Sequence, residues 1–107
     1  MFAEELISLH ELPRKVALFS DRFESLAASD GYATARALHA HRLAAGWRPV
    51  GRKIGFTNRT VWSRHGVYEP IWGTMYDLTL IHARDDGATM RTAGLVNPRI
   101  EPETCST

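Results

Sequence analysis

The chain has 107 residues, 44% of them hydrophobic and 23% charged, which is enough for one small globular domain and unlike a disordered segment. A formal net charge of +1 gives no electrostatic footing for a polyanion partner, and a single cysteine, Cys105, leaves no internal disulfide to form. Met1 to Glu11 carries acidic residues where a secretory signal needs a basic end, and no apolar stretch approaches the roughly 18 residues of a membrane span, so a soluble, cytoplasmic protein is expected.

Ala3 to Leu12 reads as a helix with Leu6, Ile7 and Leu9 on one stripe and Pro13 as its stop. Pro13 to Asp30 is less regular, although Val16 to Phe19 suit a segment laid against the body of the protein. Ser29 and Asp30 are N-cap candidates for a second helix over residues 31–45, which Gly46 ends. Its broad apolar face takes in Tyr32, Ala35, Leu38 and Leu43, with His41 pointing away. His39 and His41 stand two apart on this helix and diverge, so they do not make a metal pair, and His10, His65 and His82 have no partner at ligand spacing.

Residues 50–56 read as a strand in which Gly51 and Gly55 bracket Arg52, Lys53 and Ile54. A glycine within a strand marks a bulge or a close approach by a ligand or another backbone. Lys53 is one of two lysines among thirteen basic residues, and a partly desolvated lysine can transfer a proton where arginine cannot. The alternative is an ordinary strand-end lysine with its head in water. Asn58-Arg59-Thr60 suits a turn and helix start, with a short helix ending at Gly66. Phe56, Trp62, Tyr68, Trp72 and Tyr76 are dense enough to wall a core or a pocket. A second strand is expected over residues 71–81, with Asp77 in apolar surroundings where a carboxylate must be paired, hydrogen-bonded or functional. Asp85-Asp86-Gly87 signals a turn, with Thr89 to Val96 returning as a strand. In Glu101-Pro102-Glu103 an extended backbone would put both carboxylates on one face. Such a pair repels unless a cation sits between the two, and oxygen donors suit Mg2+ or Mn2+; the alternative is a solvated linker.

GRKIGFTNRT, the following GVYEPIWGTMYD, and NPRIEPE at residues 97–103 together resemble the N-terminal part of the 2-oxopent-4-enoate hydratase and 4-oxalocrotonate decarboxylase group of the fumarylacetoacetate hydrolase superfamily. The resemblance implies an α+β protein, with a helical N-terminal segment over residues 1–48 and, over 49–107, the first strands of a mixed β-rich catalytic domain cut short by truncation or frameshift. It implies a lyase that hydrates a 2-oxo-4-enoate or 2-hydroxydienoate from aromatic catabolism through a metal-stabilised enolate, or alternatively a 4-oxalocrotonate-type decarboxylase. It also implies a homo-oligomeric parent enzyme. By carry-over, Lys53 is the proton-transfer or substrate-carboxylate residue and Asp77 a site carboxylate that orients it. Glu101 and Glu103 become ligands of Mg2+ or Mn2+, the family's third acidic ligand lying outside this chain. Ala35 stands where the family commonly has glutamine, and Thr104 to Thr107 depart from its apolar strand. Two competing readings are a non-catalytic remnant, and nucleic-acid binding by Arg48, Arg52, Lys53 and Arg59 with Trp47 and Phe56, which the near-zero net charge disfavours.

Overall fold

The structure is a computed structural model and describes residues 3–107. Helices and a small antiparallel sheet make an α+β chain that divides into two compact units, residues 1–46 with 83–99 and residues 47–82 with 100–107.

In the first unit, α1 (Ala3–Glu11) stops just ahead of Pro13, and a single turn, α2 (Phe19–Arg22), follows. The long helix α3 (Ala28–Ala44) starts two residues earlier than Ser29 as N-cap would place it and three earlier than Asp30 would. Ala27 is the N-cap, and Asp30, inside the first turn, reaches back so that its Oδ2 accepts the Ala27 N–H at 2.8 Å. This is the reciprocal half of a capping box, and it satisfies a donor that the helix start would leave open. Gly46, at φ +91°, turns the chain out of α3 in the left-handed conformation that glycine adopts at least cost. Tyr32 and Leu38 are half-buried as expected, but Ala35 and Leu43 are exposed and the buried position is Thr34, whose hydroxyl donates to the Asp30 carbonyl at 2.9 Å. α1 and α3 lie side by side, with His10 against Arg42 and His41 Nε2 3.4 Å from Glu11. Asp85 and Asp86, both at positive φ, form a two-residue turn closed by reciprocal backbone bonds of 2.8 and 2.9 Å between Arg84 and Gly87. The expected return strand over 89–96 does not form. Gly94, at φ +86°, sits in a turn closed from Leu95 N to Thr92 O, and pairing ends at one bridge.

In the second unit, β1 (Pro49–Gly55) lies between β2 (Ile71–Tyr76) and β3 (Thr104–Ser106), antiparallel to both. Gly51 pairs with Met75, Lys53 with Gly73 and Gly55 with Ile71, after a bulge between Pro49 and Gly51. β2 is shorter than the expected strand because the chain turns at Asp77 into a 3-10 helix, Asp77–Thr79. Thr104 to Ser106, although they depart from the apolar strand of the resembled family, pair with Ile54, Lys53 and Arg52. Gly51 permits this, since a Cβ there would run into the Ser106 carbonyl oxygen. The core of this unit is Tyr76, 4% exposed, which Trp47 meets edge-on at 5.6 Å between ring centroids.

Candidate functional site

Side chains alternate across a pleated sheet, so Lys53 of β1, Gly73 of β2 and Cys105 of β3, which lie opposite one another, share a face. Lys53 extends over Gly73: a Cβ on that glycine would stand 3.8 Å from Lys53 Cε. Lys53 Nζ then donates to Glu103 Oε2 at 3.1 Å. Glu103 enters β3 beside Gly55, where a Cβ would stand 2.7 Å from Glu103 Oε1. Two glycines on neighbouring strands thus form a floor on which the lysine and the carboxylate meet. The members of the pair differ in exposure: the Lys53 side chain is 52% exposed and that of Glu103 18%. Lys53 is therefore well hydrated, and what distinguishes it is its partner.

The chain leaving β1 is fixed immediately after Gly55. Phe56 adopts φ +57°, costly for a residue with a Cβ, and its carbonyl accepts the Trp62 indole N–H at 2.9 Å while its ring meets His65 at 5.7 Å. Asn58 Oδ1 accepts from the Thr60 amide at 3.1 Å and the Thr60 hydroxyl at 2.6 Å, starting the 3-10 turn Arg59–Val61. The one-turn helix α4 (Trp62–His65) ends at Gly66, φ +66°, where the sequence places its stop. On the opposite face of the sheet, the Arg52 guanidinium lies 4.6 Å above the ring of Trp72, which stands across from Ile54.

Asp77 is not beside Lys53. It follows Tyr76, which pairs with Pro49, whereas Lys53 pairs with Gly73; at about 3.3 Å per residue the two lie roughly 13 Å apart along the ladder. Asp77 is also exposed, contrary to the expectation of apolar surroundings, because β2 ends one residue earlier. Its Oδ1 accepts the amides of Arg48 and Leu78, each at 2.9 Å, and its own amide donates to the Arg48 carbonyl at 2.9 Å. The carboxylate thus closes the end of the β1–β2 pair. Glu101 is exposed, ahead of β3.

By donor type, Glu101 and Glu103 suit a hard divalent cation. By arrangement they do not fit one, because Glu103 is turned onto Lys53 and the described residues contain no group of three or more His, Cys, Asp or Glu able to hold a metal. Sequence reasoning found Lys53 and Glu103 separately and missed that each is the other's partner. The available signal was the pair of glycines Gly55 and Gly73, which leaves room for long side chains to cross the strands. No helix among the described residues is long and apolar enough to cross a membrane.

Compared with known proteins, the chain is 40% identical over 70 residues to a 4-oxalocrotonate decarboxylase of Pseudomonas sp, an alignment covering 65% of this chain and 26% of the relative. It is 31% identical over 101 residues to a 2-keto-4-pentenoate hydratase of Paraburkholderia xenovorans (strain LB400), covering 94% and 36%. Against a 2-hydroxyhexa-2,4-dienoate hydratase of Comamonas testosteroni it is 32% identical over 92 residues, covering 84% and 34%. The chain thus spans about a third of the length of these curated relatives. No family model matches, and no solved structure matches.

Proposed function

From the homology of this chain to the 2-keto-4-pentenoate hydratase and 4-oxalocrotonate decarboxylase group, we propose that it serves a lyase that hydrates a 2-hydroxydienoate or 2-oxo-4-enoate. The observation that carries the reading to particular residues is the Lys53–Glu103 pair on its glycine floor, inside the stretch that bears the resemblance. In this reading the Lys53 ammonium is the cationic group of the site. It attracts the substrate carboxylate, and its proton is available to the terminal carbon of the dienol while the enol hydroxyl gives up its own proton to solvent, which leaves the remaining alkene conjugated to the new ketone and so an acceptor for water; the lysine regains a proton from solvent. Glu103 holds the ammonium in place until the substrate arrives. Asp77 acts one step removed, by fixing the end of the strand pair whose middle presents Lys53.

A second reading, decarboxylation of a 4-oxalocrotonate-type acid, is favoured by the 40% identity to a decarboxylase. Both reactions pass through the same kind of enolate, and Lys53 serves either.

The test separates binding from turnover. 2-Oxopentanoate, an unreactive analogue, is titrated into the chain and into Lys53→Ala, and consumption of 2-hydroxypenta-2,4-dienoate and of 4-oxalocrotonate is followed by ultraviolet absorbance. Binding that weakens in Lys53→Ala supports the reading, and the substrate consumed decides between hydratase and decarboxylase. Absence of 2-oxo acid binding would leave a non-catalytic protein and sink it.

A further inference from the structure

We propose that β2 pairs antiparallel with β2 of a second copy of this chain, Gly73 against Gly73 across a two-fold axis, so that two sheets join into one. β2 stands at one end of the sheet, in the order β2-β1-β3, and turns every second backbone N–H and C=O away from β1. The opposite edge offers less, since β3 is the three polar residues Thr104-Cys105-Ser106 against the six of β2. Ile71 to Tyr76 holds no charge and no proline, and its Ile, Trp, Thr and Tyr are types that favour extended pairing. The surface available is also of the right size. The chain exposes 8960 Å2, roughly 2,000 Å2 more than two compact units of its mass would, and a stable pair covers about 800 Å2 on each partner.

Symmetry and side-chain direction then fix the register. An edge strand that meets its own copy across a two-fold axis runs antiparallel to it, and residues directly opposite in such a pair share a face of the sheet. The axis must therefore pass through a residue, not between two. Centred on Thr74, the pairing would set Ile71, 49% exposed, against the Asp77 carboxylate. Centred on Trp72, it would join only Ile71 to Gly73 and bring Pro70, which has no N–H to give, against Thr74. Centred on Gly73, it sets Ile71 opposite Met75 and Trp72 opposite Thr74, each twice, with no side chain at the axis to hold the backbones apart. Lys53 stands opposite Gly73 on β1, and the axis, perpendicular to the sheet, keeps its face. The two lysines thus come onto one surface, three strand spacings or about 14 Å apart, with glycines between them.

Cysteine cross-linking reads the register, in a Cys105→Ser background that removes the one native thiol. Gly73 has room for a Cβ, which would stand 3.8 Å from Lys53 Cε. Gly73→Cys sets two cysteines directly opposite, about 5 Å apart at Cα and within disulfide reach. Thr74→Cys sets them about 8 Å apart, beyond it, so Gly73→Cys should form a linked dimer at least about tenfold faster under mild oxidation at micromolar concentration. Lysine labelled with 13C at Cε gives two signals, Lys53 and Lys15; an unmoved Lys53 signal in Thr74→Cys shows its sheet intact, since Thr74 lies opposite Arg52 on the other face. In the unaltered chain, the β2 amides should exchange with deuterium more slowly as concentration rises, while those of α1 keep their rate. Equal cross-linking in the two variants, faster cross-linking in Thr74→Cys, or β2 exchange that ignores concentration overturns the proposal. No 2-oxo acid is present, so neither result bears on the lyase reading.

Discussion

At the scale of single residues, Asp77 and Lys53 make opposite predictions although the sequence argues for both in similar terms. Asp77 Oδ1 receives two backbone amides at a strand end, so Asp77→Ala should cost about 1 kcal/mol of stability, as the loss of a capping side chain does. The same change should leave the Lys53 Cε resonance in place, because Asp77 lies at the far end of the ladder. A shifted resonance would restore the pairing of the two residues that the structure does not make. Lys53→Ala should do the reverse. Its side chain is half-exposed, so stability should change by less than about 1 kcal/mol, whereas in a chimera carrying the remaining length of a hydratase relative, kcat should fall roughly a hundred- to ten-thousand-fold, the range for a lost proton-transfer group. A Lys53→Ala chimera with unchanged kcat and a raised KM would make the lysine a binding group only.

At the scale of elements, the legible parts are those decided by a few neighbouring residues. Pro13, Gly46 and Gly66 stop helices and Asp85-Asp86 turn the chain, as local backbone chemistry requires. Strand length and partnership were not legible, because they depend on distant residues. Lys53 and Glu103 are 50 positions apart, and only the register of β3 on β1 brings them together. Nor does Thr104-Cys105-Ser106 carry an apolar alternation that would announce a strand. This makes Gly51 a test of the third strand. Gly51→Ala forces a methyl group toward the Ser106 carbonyl, and the amides of residues 104–106 should exchange with solvent faster, with the Lys53 resonance moving as Glu103 is pulled away; unchanged exchange would count against β3 as a partner of β1. The helical pair offers a pH test. Partial burial, and then the Arg42 guanidinium whose NH2 lies 3.2 Å from Nδ1, hold His10 below its ordinary value of 6.5. A histidine with a lowered folded-state pKa favours the fold while neutral, so its contribution is present above about pH 6.5 and is lost as pH falls through the lower folded-state value. The midpoint of helix melting should therefore drop between about pH 7 and pH 5, and His10→Gln should reduce that dependence; equal slopes in both chains would contradict it.

At the scale of the whole molecule, the surface decides what the chain does in solution. It exposes 8960 Å2, where a folded protein of its mass exposes about 6,000 Å2 and even two separate compact units of that total mass would expose about 7,000 Å2. The excess is rich in apolar side chains: Trp72 is 48% exposed and Ile71 49%, both on an edge strand, and Leu78, Ile81 and Ile100 are 65%, 53% and 97% exposed. β2 runs for six residues without a charge or a proline, so it lacks the devices that keep an edge from pairing with another chain. Apolar contact gains roughly 25 cal/mol per Å2 covered, and it is against this gain that the lost freedom of two separate molecules is set. The chain should therefore self-associate at micromolar concentration, with a weight-average mass in sedimentation equilibrium that rises above 12.0 kDa as concentration rises. Ile71→Lys, which puts an ammonium on the β2 edge, should shift that rise to higher concentration without moving the Lys53 resonance. A species that stays at monomer mass over the whole range would mean that these exposed side chains are covered in solution by contacts within the chain itself.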